Sequence, residues 1–111
     1  MSFFQSDVVR AEMAEINELQ EEVYTNVFKF PTMSKEDQQY HVEILERLLD
    51  KQRVMYTRLS LSDDPAAKKL KETISESVVD MGVPKNMDMN LVFNNMSTAV
   101  EMMKQHIDKQ S

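Results

Sequence analysis

The chain contains no cysteine, which excludes disulfides, thiolate nucleophiles and cysteine-held zinc or iron–sulfur centres. Glycine is almost as scarce, with one in 111 residues. Tight hairpins that rely on positive φ therefore have almost nothing to be built from. No stretch approaches the roughly 20 apolar residues that a membrane-spanning helix needs. The opening "MSFFQSDVVRAEM" lacks the basic start and apolar run of a signal peptide. Positive charge is also in short supply: 13 Lys and Arg stand against 19 Asp and Glu, a formal charge of −6. Such a chain is repelled by phosphate backbones and anionic lipid, so neither nucleic acid nor a membrane is expected as partner. A soluble cytoplasmic protein of one domain is the expectation.

What is present is helical periodicity. Pro31, Pro65 and Pro84 fall between periodic segments and cut the chain into four, as residues that break helices should. The first segment, 7–29, carries Val9, Met13, Ile16, Val23 and Val27 on one stripe widened by Leu19, and Phe30-Pro31 ends it. The second, 34–60, starts at Ser34, a capping residue with Asp37 three positions on. Its stripe is Ile44, Leu45, Leu48, Leu49, Met55, Tyr56 and Leu59. The third, 65–81, is capped by Asp64, with Pro65 in the first turn, where its missing N–H costs nothing. Ala67, Leu70, Ile74, Val78 and Met81 follow, and Gly82 supplies a left-handed stop. Asp88 caps the fourth, 89–109. The expected fold is all-α: a small four-helix protein with two long antiparallel helices and two shorter ones. "FPTM" is too short for anything but an antiparallel return.

The fourth segment is unusual. "NMDMNLVFNNMSTAVEMMKQ", residues 86–105, holds five of the ten methionines. Val92, Met96, Ala99, Val100, Met103 and Ile107 share one face, so Met96 and Met103 are expected in the core, filling irregular gaps between helices. Met102 lies off that face, Met87 and Met89 flank the capping position, and Phe93 lies at its edge. Beside Asn90, Asn94 and Asn95 these make an adaptable surface, and Met87, Met89, Phe93 and Met102 are the candidate partner-binding residues. Alternatively, the short third helix or a second subunit covers them.

Catalytic patterns are hard to find. A di-iron bundle needs Glu-x-x-His on two helices, but Gln38 and Met103 stand three residues before His41 and His106. His41 is expected to be structural and bonded to Asp37, and Gln52 is a polar residue in a seam that sets register. "SLSDDP" suggests a magnesium site only if phosphates accompany it, and capping accounts for Asp64. No catalytic, cofactor-binding or metal-binding residue is expected. Charge layout says more: Glu12, Glu15, Glu18, Glu21 and Glu22 on the first helix can face Arg47, Lys51, Arg53 and Arg58 on the second. Exposed pairs contribute only about 0–1 kcal/mol each, so their value lies in choosing orientation. Lys68, Lys69 and Lys71 read as a solvated face.

"MSFFQSDVVRAEM", "ELQEEVYTNVFKFPTM", "YTRLSLSDDP" and "VFNNMSTAVEMMKQHID" together resemble the cyanobacterial family known as domain of unknown function 1825. The resemblance runs over essentially the whole chain and is nearest to the marine and phage branch, through "NVFKFP" and "LSLSDDP". It implies a cytoplasmic, all-helical protein of a photosynthetic bacterium or its phage, and it transfers no activity and no functional residue. The expected role is a non-enzymatic interaction protein that binds a larger host assembly. A homodimer is expected, because long amphipathic helices carry more apolar surface than two short ones cover. The alternative is a small enzyme or metal-binding bundle using interior Glu and His.

Overall fold

The computed structural model describes residues 3–80, 82 and 87–109, less the side chains of Ser77 and Val78. A 3-10 turn, Phe3–Gln5, leads into helix α1, Asp7–Asn26. A second 3-10 segment, Val27–Thr32, joins it to α2, Lys35–Leu61. Helices α3, Pro65–Asp80, and α4, Met89–Asp108, complete the order, with no strand among the described residues. The protein is all-α, as expected. Val78 (its side chain) and Met81 from the third predicted stripe lie outside the described residues.

Helix starts follow local chemistry. The Ser34 hydroxyl accepts from the Asp37 N–H at 3.1 Å, and Asp88 Oδ1 from the Asn90 N–H at 2.9 Å. Asp64 does two jobs: Oδ1 accepts from Ala66 N–H at 2.9 Å, and Oδ2 from Phe3 N–H at 2.6 Å. Gly82 takes φ +101°, the left-handed geometry expected after a helix.

The end of α1 departs from expectation. It stops at Asn26, and the chain continues through Pro31 as a 3-10 segment. Pro31 cannot donate to the Val27 carbonyl and its ring crowds that oxygen, so the preceding turn tightens. At 20 residues α1 is then no longer than α4, and α2, at 27, is the one long helix.

α2 is the axis of the molecule. On one flank α1 runs antiparallel to it, tied by Glu12–Arg58 at 3.1 Å, Glu15–Lys51, and Tyr40 Oη donating to Glu22 at 2.9 Å. The acidic and basic bands read from the sequence do meet at the first two of these. On the other flank α4 is also antiparallel, tied by Arg53 to Asn94, Glu46 to Lys104, and Gln39 to Asp108. α1 and α4 are therefore parallel to each other, and they scarcely touch. α3 packs across the end of α2 and against the Phe3–Gln5 turn.

This layout spreads the apolar interior over three buried clusters bridged by the half-buried Ile16 and Ile74. Val9, Met55, Leu59 and Ala67 form one buried cluster; Leu49, Met89, Val92 and Phe93 a second; Leu19, Ile44 and Leu48 a third. A domain of this size usually builds one continuous core. Here a single central helix serves two flanks, and the space between the flanks stays open.

Candidate interaction face

Between α1 and α4 lies a groove of about 340 Å³. Its floor is Gln52, Met55 and Tyr56 of α2, and Leu70 and Ile74 of α3 close one end. One wall is Met13, Ile16, Asn17 and Gln20 of α1; the other is Met89, Val92, Phe93 and Met96 of α4. Among the described residues no charged side chain lines it, in a chain where 29% of residues are charged. A second apolar recess continues along α4 toward its C-terminus, between Phe30 and Ala99, Met102, Met103, His106 and Ile107.

The predicted partner-binding set is divided: Met89 and Phe93 line the groove from buried positions, and Met102 borders the second recess. Met89 and Phe93 are each 6% exposed and belong to the core. Met87 is half-buried against the same cluster. Only Met102 is open, at 65%, and it borders the second recess. Met96, expected inside, is 46% exposed.

One cause accounts for Phe93 and Met96: α4 is rotated toward α2 from the stripe its own periodicity suggests, with Val92 and Ile107 still inside. Phe93 packs on Leu49 and Tyr56, with ring centroids 5.9 Å apart in the latter pair, and the Arg53 guanidinium lies 5.8 Å from its centroid. Arg53 also donates to Asn94 Oδ1 at 3.0 Å and Ser97 Oγ at 3.4 Å. A phenyl ring buries more apolar area than a thioether chain, so Phe93 goes in and Met96 moves to the rim. Of the predicted stripe, Val92, Val100 and Ile107 stay turned inward, while Met96 and Ala99 come to lie on the open side.

Two polar predictions can be placed. Gln52 is half-buried in the groove floor. His41 is buried as expected, but no hydrogen bond joins it to Asp37; its ring packs on Phe30 at 5.4 Å. Burial holds its imidazole below the ordinary range, opposed by the nearby Glu22 carboxylate. The two share a polar recess of about 270 Å³ with Asn26, Asp37 and Tyr40. The bond from Tyr40 to Glu22, and that carboxylate's charge, push the phenol up. Among the described residues no group of three His, Asp or Glu is placed to hold a metal ion, and no helix is long and apolar enough to cross a membrane.

Sequence reasoning overlooked the outer end of α1. Tyr24 is 74% and Phe28 92% exposed, one helical turn apart. Their spacing from Gln20 and Asn17 is visible in the sequence, but nothing there says that α1 covers so little of itself.

The fold and its open face define a class: a small all-α protein with one central helix, two flanking helices and an apolar cleft between them. By sequence the chain belongs to the family described as Domain of unknown function (DUF1825), matched over residues 1–107. No curated protein and no solved structure matches it.

Proposed function

We propose that this protein is a non-enzymatic interaction protein of a cyanobacterium or its phage, acting by contact in the bacterial cytoplasm, and that it binds a larger host protein assembly. The observation that carries the reading is the amount of apolar side chain left in the open. Tyr24 projects from the end of α1 and Phe28 from the 3-10 segment that follows it, while Met96 and Met102 project from α4. Exposed aromatic pairs and methionines are the residue types that anchor protein contacts. Glu21, three residues before Tyr24 and seven before Phe28, lies on their side of the helix, which favours a partner surface that is apolar and basic.

Affinity capture with the full chain tests this, comparing wild type with the double variant Tyr24→Ala, Phe28→Ala. Both side chains are solvent-facing, so the variant is expected to melt as wild type does. The expected result is a defined host protein retained by wild type and lost by the variant. Capture that returns nothing beyond the chain itself overturns the host-assembly reading.

A second reading, a small enzyme or metal protein, has one observation in its favour: the recess that gathers His41, Glu22, Asp37 and Tyr40. Metal analysis of the purified protein, together with a His41→Asn variant, separates the two.

A further inference from the structure

We infer that the groove between α1 and α4 is occupied by a second copy of this chain, in a two-fold symmetric dimer in which each copy's α4 lies in the other's groove. The inference rests on the contact reading above and names one occupant for this face.

The first support is area. A compact monomer of 13.0 kDa exposes roughly 6,300 Å², whereas this chain exposes 7920 Å². The difference exceeds the roughly 800 Å² that each partner gives up in a standard interface. Shape agrees: the radius of gyration is 15.8 Å and the extents are 52 × 32 × 19 Å, against roughly 13 Å for a compact chain of this length. The molecule is about two helices thick, as a layer would be before a matching layer covers it.

The second support is charge. Copies that each carry −6 repel, so they associate only where the charges are not. The groove comes nearest to that: the polar groups of its described lining are the amides Asn17, Gln20 and Gln52 and the Tyr56 phenol. The charges closest to it are cations, Arg53 against the Phe93 ring and Lys71 against the Tyr56 ring. Amides carry both donors and acceptors. They can therefore pair with a symmetry-related amide wherever the two-fold axis brings one opposite itself, which two like-charged carboxylates or ammonium groups cannot do.

The third support is the pattern on α4. Its apolar residues suit a helix buried on two sides: Met89, Phe93 and Ile107 are buried, whereas Met96 and Ala99 remain exposed on the adjoining strip. That strip borders both recesses and follows a helix of 20 residues, about 30 Å long. It matches in length the only structure certain to be present at equal concentration, the same helix in another copy.

Sedimentation of the full chain from about 0.5 to 100 μM tests the inference. The expected result is a single reversible step to twice the chain mass. Met96→Lys, at a position already half open, is expected to keep the helical spectrum and weaken dimerisation at least about 100-fold. Thr57→Lys, the same charge change on an exposed position away from the groove lining, is expected to leave it within about threefold. A second measurement needs no variant: under mild peroxide, wild-type Met96 should oxidise about tenfold more slowly above the dimerisation midpoint than below it. A wild-type chain that stays monomeric throughout overturns the inference, while leaving capture of a host protein to be judged by its own test. A Met96→Lys chain that dimerises like wild type also overturns it, as does an open-ended series of larger species.

Discussion

Methionine carries different burdens at different positions in this chain. Met55 and Met89 lie inside buried clusters, whereas Met96 and Met102 stand in the open. Exposed thioethers convert to sulfoxide readily and packed ones resist. At submicromolar protein, mild peroxide followed by mass spectrometry should therefore modify Met102 and Met96 well before Met89 and Met55. Equal rates at all four would contradict the orientation of α4. His41 makes a second residue-scale prediction. Its imidazole is held below its ordinary pKa by burial, so between that lowered value and about 6.5 the unfolded chain binds more protons than the folded one. Stability from this group is complete above about pH 6.5 and falls as the pH drops through the folded value. The urea midpoint at pH 5.5 should lie below that at pH 7.5, and His41→Leu, which keeps an apolar group against Phe30, should shrink the difference.

Helices are fixed here by their starts and by one shared neighbour. Asp64 caps α3 and holds the Phe3 N–H as well. Asp64→Ala should cost about 1–2 kcal/mol, the usual loss for a cap plus a charge-assisted bond. Asp64→Asn, which keeps an accepting oxygen, should cost less; denaturant midpoints measure both. Leu48 is buried in the cluster that joins α1 to α2. Leu48→Asp places an unpaired charge there, at a cost of at least about 3 kcal/mol, and should abolish cooperative thermal unfolding followed by circular dichroism. An unchanged melting curve would count against the pairing of the two helices. Capping is local chemistry, which is why Ser34, Asp64 and Asp88 could be read from the sequence alone. The close of α1 was less legible, because the sequence marks Pro31 as a stop but not the tightening of the turn before it. The face that α4 turns inward was legible only in part: Val92 and Ile107 are buried as their spacing suggests, but the rotation that takes Phe93 in and leaves Met96 out goes with Arg53, 40 or so positions earlier, reaching Asn94 and Ser97.

For the whole molecule, the sequence conveyed an all-helical chain with apolar surface to spare. It could not convey where that surface lies open, since this follows from two helices choosing opposite flanks of a third. If a second copy covers the groove, folding and association are linked, and the melting temperature should rise with protein concentration over the sedimentation range. A concentration-independent melting temperature would mean that the layer is stable uncovered.

The parallel course of α1 and α4 has an electrical consequence. Each helix carries a macrodipole equivalent to roughly half a charge at either end, and an antiparallel neighbour cancels it. Two helices here run one way while α2 alone runs the other, so the layer keeps a net axial polarity. Its positive end lies at the starts of α1 and α4, where Asp7 and Asp88 sit, and its negative end lies near Asn26 and Asp108. Two such layers stacked the same way set like poles together, whereas stacking them head to tail sets opposite poles together. Of the two ways a two-fold axis can lie in the plane of the face, the one perpendicular to the helices is therefore favoured, and the start of one copy's α4 should lie beside the end of the other's.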